Sequence, residues 1–263
     1  MRTGPTPPRL WVFDFDGTLA PIVPDRAAAR LHPDALALLR DLAADPRSSV
    51  AVLSTRALDD LAARVPVPEV ILGASSGLEW RLPGGRRILP GGAARRKLEG
   101  ARARVLPLLG PLGGIPGVEL EDKRWSIAVH YRHVLPETMP TLVPLLEELD
   151  RCPGIRVYSG PMAAEVQLLR PVGKALGVRL LCRFLKFDAG RDRLFFAGDD
   201  ENDAAAMRWV LAHNGTVFAV GKQVRIPGAL AVDGPGALAH AVRAQMGAGG
   251  ASRIGGDDRE TAG

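Results

Sequence analysis

The chain has 263 residues, of which 46% are hydrophobic and 24% are charged, as expected for a globular protein with a sizeable core. Two cysteines are too few for a disulfide framework, and no run of about 18 apolar residues predicts a membrane span. The net charge of +5 comes from scattered arginines without a nucleic-acid-binding motif, so we expect neither membrane nor nucleic-acid binding.

The first ninety residues alternate short apolar runs with helical patterns. The opening MRTGPTPPR lacks the apolar segment of a signal peptide, which predicts a cytoplasmic protein. Predicted strands cover 10–13, 49–53 and 70–72, and predicted helices open at Pro33 and cover about 57–64. This alternation favours a parallel sheet flanked by helices.

The middle of the chain breaks this rhythm. Segments 78–82 and 86–89 flank Pro83-Gly84-Gly85, which predicts a hairpin. Helices are predicted over 93–109 and 137–150, and strands over 118–123, 126–132, 155–159 and 164–169. This mixture indicates an α+β module inserted into an α/β domain.

The alternating pattern resumes after residue 170. A helix is predicted from Gly173, then a strand over 193–197, a helix over 202–211, a strand over 216–220 and a helix over 236–246. The Gly-rich polar tail, 247–263, is predicted to be disordered. The fold class is therefore α/β, a parallel-sheet core with an inserted α+β module.

Two carboxylates follow the first predicted strand, in the sequence Asp14-Phe15-Asp16-Gly17-Thr18. Side chains alternate along a strand, so Asp14 and Asp16 start on one face. Ligands of open α/β sheets bind beyond the carboxyl ends of the strands. One carboxylate there can attack a substrate while the other moves protons.

A second acidic cluster, Gly198-Asp199-Asp200-Glu201-Asn202-Asp203, follows the predicted strand 193–197. Asp200 or Asn202 can cap the helix that comes next. Several carboxylates at a strand end also suit Mg²⁺, which prefers oxygen ligands. The two acidic clusters together predict a magnesium site, because neighbouring strand ends lie close together.

Two further polar residues lie at element junctions. Ser54 ends the second strand, where its hydroxyl can donate a hydrogen bond to a phosphate oxygen. Lys174 lies at the predicted start of a helix, where a cation opposes the helix dipole. That unfavourable placement indicates an anionic partner for Lys174.

DFDGT, Ser54, Lys174 and GDDxxD, in this order and at strand ends, resemble the motifs of the haloacid dehalogenase-like phosphatases. The resemblance implies a Rossmann-like core over 9–91 and 171–246 and a cap module over 92–170. It implies that Asp14 is the nucleophile and Asp16 the general acid and base, with Ser54 and Lys174 holding the phosphate. The implied Mg²⁺ ligands are Asp14, Asp16, Asp199, Asp200 and Asp203, and which of the last two contacts the ion directly stays open.

Within that superfamily, the sequence is most similar to the trehalose-6-phosphate phosphatase family. The similarity lies in DFDGTLAPIVPD, in the E-x-K element at Glu121 that leads into the strand ending His130-Tyr131-Arg132, and in Glu165. It implies hydrolysis of trehalose 6-phosphate and a functional coupling to a trehalose-6-phosphate synthase. The implied substrate-binding residues are Arg56, Glu121, Lys123, His130, Arg132 and Glu165.

Five positions depart from the family pattern and bear on the substrate more than on the chemistry. Thr55 stands where glycine is usual, Ser76 where histidine is usual, Gly173 where serine is usual, Ala175 where glycine is usual and Asn202 where threonine is usual. Three other functions fit these residues. They are a phosphatase for another sugar phosphate or a phosphorylated glycosyl-glycerate, a phosphotransferase or mutase, and a non-catalytic sugar-phosphate sensor.

Overall fold

A computed structural model describes residues 7–159, 162–169 and 173–248. The strands are β1 (Arg9–Phe13), β2 (Ser48–Leu53), β3 (Ile71–Ala74), β4 (Glu79–Arg81), β5 (Arg87–Ile88), β6 (Glu119–Asp122), β7 (Ser126–His130), β8 (Arg156–Ser159), β9 (Ala163–Gln167), β10 (Arg193–Gly198), β11 (Thr216–Val220) and β12 (Leu230–Val232). The α-helices are α1 (Pro33–Ala44), α2 (Leu58–Arg64), α3 (Gly92–Gly113), α4 (Met139–Arg151), α5 (Lys174–Leu185), α6 (Glu201–Ala212) and α7 (Pro235–Ala248).

The larger sheet has eight strands in the order β12-β11-β10-β1-β2-β3-β4-β5. Its strands pair in parallel from β12 to β3, and β4 and β5 add antiparallel to the edge. All five residues of β1 are buried because β1 is central and both faces of the sheet are covered. The predicted α/β fold class is confirmed by this sheet.

Helices cover the larger sheet on both faces. Leu38, Leu39 and Leu61 of α1 and α2 pack on one face together with α7. Val178 of α5 and Met207 of α6 pack on the other face. The parallel order places the carboxyl ends of β1, β2 and β10 side by side, and the sequence-predicted polar motifs follow these ends.

A second sheet of four antiparallel strands has the order β6-β7-β9-β8. Helices α3 and α4 pack on one of its faces, around buried Val105, Leu142 and Val166. Leu78, which lies outside this sheet between β3 and β4, packs against the same cluster. The other face presents alternate side chains such as Glu121 and Glu165, which belong to the predicted sugar-binding set.

The observed elements differ from the predicted ones at a few places. The helix predicted over 137–150 begins at Met139 after a 3-10 turn at Pro136–Thr138, because Pro140 fits the first turn of an α-helix. Strand β12 is absent from the sequence prediction, since its three residues lie half-exposed or exposed at the sheet edge.

Some predictions concern the limits of the chain's parts. Helix α7 runs to Ala248, so the first two residues of the predicted disordered tail are helical. The rest of that tail lies outside the described residues. The division into a core and a cap module stays a prediction. Within the described ranges, no helix is both long and apolar enough to span a bilayer.

Candidate active site

Asp14 lies directly after β1, at the centre of the larger sheet. Its backbone N–H donates to the Ala197 carbonyl at 2.9 Å, which continues the pairing of β1 with β10. Gly17, three residues on, has φ +83, and a Cβ there would lie 2.0 Å from Oδ2 of Asp199. Glycine at this position therefore lets the turn after β1 approach the acidic loop after β10.

Lys174 forms the centre of the site. Its Nζ lies 2.6 Å from Oδ1 of Asp14 and 2.6 Å from Oδ1 of Asp203. Lys174 is 3% exposed, Asp14 4% and Asp203 0%, so these three charges share one buried space. The anionic partners predicted for Lys174 include carboxylates of the chain itself.

The acidic loop after β10 is held by its own hydrogen bonds. Oδ1 of Asp199 accepts from the Thr18 hydroxyl at 3.1 Å. Oδ2 of Asp203 accepts from the backbone N–H groups of Asp199 and Asp200 at 3.2 and 3.4 Å. Asp200 caps α6, because its side chain accepts from the backbone N–H groups of Asn202 and Asp203. The capping role left open between Asp200 and Asn202 therefore belongs to Asp200.

The buried carboxylates repel one another and are poorly solvated. Burial, followed by the charge of Asp203, raises the pKa of Asp199 to about 7. Burial raises the pKa of Asp203 to about 8 against the opposing effect of Lys174. Burial also raises the pKa of Asp14 well above its ordinary range. One lysine thus leaves this group of acids without enough positive charge.

A divalent cation fits this group of acids. Carboxylate oxygens of Asp14, Asp199 and Asp203 all lie within 4.8 Å of one another, and all three residues are buried. Hard oxygen donors of this kind suit Mg²⁺. Of the five predicted ligands, Asp14, Asp199 and Asp203 therefore form one group, and the carboxylates of Asp16 and Asp200 lie outside it.

Asp16 points to a different partner. Arg56 donates from Nε to Oδ2 of Asp16 at 2.8 Å and from Nη2 to Oδ1 at 2.6 Å. The same guanidinium donates to Oδ2 of Asp60 at 2.7 Å and to the Arg26 carbonyl at 2.9 Å. The structure therefore places Arg56, a predicted substrate-binding residue, against the predicted acid and base.

Ser54 is 1% exposed at the end of β2. Its Oγ accepts from the Arg56 backbone N–H at 3.2 Å. Its backbone N–H donates to the Gly73 carbonyl and its carbonyl accepts from Ser76 N–H, at 2.8 and 2.9 Å. These bonds fix Ser54 beside the turn that carries Ser76, one of the positions that depart from the family pattern.

The polar face of the second sheet carries the other predicted substrate residues in two pairs. Nε2 of His130 lies 3.0 Å from Oε2 of Glu121, and this hydrogen bond lowers the Glu121 pKa. Nζ of Lys123 lies 2.7 Å from Oε2 of Glu165, and Ser126 donates to the other Glu165 oxygen. Burial lowers the pKa of Lys123. Neighbouring strands β6, β7 and β9 align these pairs.

A cleft of about 680 Å³ separates this polar face from the loop after β1. Exposed Arg132 lines this cleft, as do both residues of the Glu121–His130 pair. Arg56 and Asp60 reach it from the larger sheet. The cleft is large enough for a small polar ligand.

Sequence reasoning missed three contacts that join the two sheets. Nη1 of Arg26 lies 4.0 Å from Oε2 of Glu121 across the cleft. Nε1 of Trp125 donates to Oε1 of Glu79 at 2.6 Å, and Arg124 lies 4.0 Å from the same oxygen. A fourth unpredicted contact, the hydrogen bond from Thr18 to Asp199, lies within the active site, and the DFDGT motif that contains Thr18 is its signal in the sequence. The Glu79 and Arg26 contacts had none, because each joins distant parts of the chain.

Comparisons with known proteins agree with this geometry. The family model described as trehalose-phosphatase matches residues 12–228. A trehalose-phosphate phosphatase of Mycobacterium tuberculosis is 39% identical over 161 residues, which are 60% of this chain and 39% of that protein. The chain thus matches about two fifths of the length of this relative.

Solved structures share the fold. A trehalose-6-phosphate phosphatase related protein superimposes with a TM-score of 0.73 at 20% identity, covering 91% of this chain and 98% of the other. The trehalose-6-phosphate phosphatase of Aspergillus fumigatus superimposes with a TM-score of 0.64 at 25% identity, covering 92% and 93%. The likeness therefore extends over both sheets.

Proposed function

Because the chain belongs to the trehalose-phosphatase family, we propose that it hydrolyses trehalose 6-phosphate to trehalose and phosphate, with Mg²⁺ as cofactor. The observation that carries this proposal is the buried group of Asp14, Asp199 and Asp203 around Lys174. The cleft nearby is lined on one side by Glu121, His130 and Arg132 and on the other by Arg56, the partner of Asp16. This combination suits a phosphate on one side and sugar hydroxyls on the other.

In the proposed reaction, an oxygen of the Asp14 carboxylate attacks phosphorus and the bond from phosphorus to the sugar oxygen breaks. Asp16 gives its proton to the departing sugar oxygen. Water then attacks the phosphoryl group on Asp14 and gives a proton to Asp16, which releases phosphate and restores both residues. Lys174 and the Ser54 hydroxyl stabilise the charge on the phosphate oxygens during both steps.

Asp14, Asp199 and Asp203 would hold Mg²⁺, together with the backbone carbonyl of Asp16. Bound there, the ion reduces the repulsion between the attacking carboxylate and the anionic phosphate. Asp200 is proposed to act through the capping of α6, which holds Asp203 in place. A functional coupling to a trehalose-6-phosphate synthase and a cytoplasmic location stay predictions.

Magnesium should raise the melting temperature of the protein. Binding at about 100 times the dissociation constant stabilises by roughly 2.7 kcal/mol, which is about 5–10 °C for a chain of this size. EDTA should abolish phosphate release and added Mg²⁺ should restore it. The Asp199→Asn variant removes one ligand charge and should lose most of the temperature shift. An equal shift in this variant, measured by thermal unfolding, would contradict the assigned ligands.

The substrate is tested with a panel of sugar phosphates. Trehalose 6-phosphate should be hydrolysed with a much higher kcat/KM than glucose 6-phosphate, which carries the same phosphate but half of the sugar. A site whose polar groups are built to pair with hydroxyls penalises a ligand that lacks them. Equal kcat/KM values for trehalose 6-phosphate and glucose 6-phosphate would overturn the trehalose assignment and leave only a general phosphatase function.

Glu165→Gln should lower kcat/KM for trehalose 6-phosphate by about tenfold to hundredfold, the value of a hydrogen bond to a charged group. Glucose 6-phosphate should be affected less, because the lost contact belongs to the sugar. Glu147→Gln is the matched control, since Glu147 is an exposed residue of helix α4 paired with Arg151. A loss of the same size for both substrates would assign Glu165 a role in folding or in phosphate binding.

A further inference from the structure

Arg56 has few free donors with which to contact a substrate. Its side chain is 2% exposed, and its guanidinium makes four hydrogen bonds within the chain. The guanidinium carbon also lies 5.3 Å from the centre of the Phe15 ring. These contacts fix the plane of the guanidinium, so Arg56 contributes to the cleft wall while its donors point to Asp16, Asp60 and the Arg26 carbonyl.

The strongest of these contacts is the two-pronged pair with Asp16. Two parallel N–H to oxygen bonds of 2.6 and 2.8 Å reach both carboxylate oxygens, and each oxygen keeps a second lone pair that can hold a proton. Such a fork fixes both the position and the plane of a carboxylate, which a lysine cannot do. Asp16 needs this restraint, because it stands on the turn next to Gly17 and its side chain is 31% exposed.

The rest of the Arg56 guanidinium is held by Asp60 and by the Arg26 backbone. Asp60 of α2 accepts from Nη1 and also pairs with Arg64 at 2.8 Å. The Arg26 carbonyl accepts from Nη2, the same nitrogen that reaches Asp16. Arg26 belongs to the loop that faces Glu121 of the cap across the cleft. The fork is therefore braced between α2 and the loop that forms the cleft wall.

We propose that Arg56 is a positioning residue that holds Asp16 for proton transfer to the leaving sugar oxygen, rather than a residue that binds substrate. This inference rests on the proposed function, in which Asp16 is the acid and base. Arg56 touches neither the phosphate nor the sugar in this assignment. Its effect on the reaction passes through Asp16.

The dependence of kcat/KM on the leaving group separates a positioning role of Arg56 from phosphate binding. A sugar oxygen needs a proton as it departs, whereas p-nitrophenolate departs as a stable anion and needs none. The second step, in which water attacks the phosphoryl group on Asp14, is the same for both substrates and does not enter kcat/KM. A residue that acts through the acid should therefore affect the sugar phosphate alone, while a phosphate-binding residue should affect both.

The variant Arg56→Lys keeps the charge and removes the fork. We expect kcat/KM for trehalose 6-phosphate to fall by about 100-fold, the lower end of what general acid catalysis contributes. The loss on p-nitrophenyl phosphate should be at least about tenfold smaller. Equal losses on the two substrates would overturn the inference.

A double-mutant cycle gives the second readout. In an Asp16→Asn background, Arg56→Lys should lower kcat/KM for trehalose 6-phosphate by less than about threefold. The effect of Arg56 passes through the Asp16 carboxylate, which this background has already removed. Additive losses would overturn the inference. If thermal unfolding shows that Arg56→Lys is not folded, Asp60→Asn replaces it in the cycle. This variant keeps Arg56 but removes the charge that holds the other side of its guanidinium, which loosens the pair with Asp16.

Different results would overturn the proposed function and the role of Arg56. A wild-type protein that does not hydrolyse trehalose 6-phosphate overturns the proposed function, and the Arg56 role falls with it. An active wild type whose Arg56→Lys variant loses equally on both substrates overturns the Arg56 role alone.

Discussion

Replacing Asp14 by asparagine should lower phosphate release from trehalose 6-phosphate by about 10⁴-fold or more, the scale seen when a covalent nucleophile is removed. The amide keeps the shape of the carboxyl but has no negative oxygen with which to attack phosphorus. The change also removes one of three crowded negative charges, while Lys174 keeps its contact with Asp203. The melting temperature should therefore be maintained.

Two measurements decide this prediction. Steady-state phosphate release gives the rate, and thermal unfolding shows that the variant is folded. Asp59→Asn is the matched control, because Asp59 is an exposed carboxylate of α2 paired with Arg87. A folded Asp14→Asn protein with near-normal turnover would exclude Asp14 as the nucleophile.

Replacing Lys174 by methionine should have the second largest effect and should act on stability as well as on rate. Removing one partner of a buried ion pair costs about 3–5 kcal/mol, because the remaining charges stay buried and unpaired. Here Asp14 and Asp203 would both lose their cation. The rate should fall by about 10²–10³, the value of one group that stabilises transition-state charge.

The stability loss is measured by urea unfolding in EDTA, and added Mg²⁺ should recover part of it. Lys222→Met is the control, since Lys222 is exposed and its loss should change the free energy of unfolding by about 0.5 kcal/mol at most. A Lys174→Met protein as stable as wild type would mean that the buried carboxylates do not depend on this lysine.

The pH dependence of the metal-free protein has a definite sign. Asp203 has a pKa of about 8 in the folded chain and about 4 in the unfolded chain. The folded state thus binds more protons between these values, so the free energy of unfolding falls as pH rises through this range. In Lys174→Met the fall should extend to higher pH, because the lysine charge opposes the rise in the Asp203 pKa.

The acidic motifs were predictable because the ends of buried parallel strands meet at one edge of a sheet. The apolar runs that become β1, β2 and β10 identify those ends without any knowledge of the packing. The separate roles of Asp200 and Asp203 were not predictable, since both lie at the start of α6 and both suit a cap or a metal. The structure makes Asp200 the cap of α6 and places Asp203 against Lys174 and the backbone N–H of Asp199.

The partner of Arg56 was equally hidden from the sequence. Asp16 and Arg56 are 40 residues apart, and the pattern LSTR suggests only that an arginine follows a strand. Likewise, β12 has no clear signal, because three residues at a sheet edge bury too little apolar surface to show a periodicity.

The packing of Leu78 and Glu79 has a consequence for protein engineering. Leu78 packs against the hydrophobic cluster of the four-stranded sheet, and Glu79 accepts a hydrogen bond from Trp125 of that cluster, although both residues precede the predicted cap module. A chimaera that exchanges residues 92–167 between family members would leave these two contacts behind. The transplanted segment should fold and seat correctly only when positions 78 and 79 are exchanged with it.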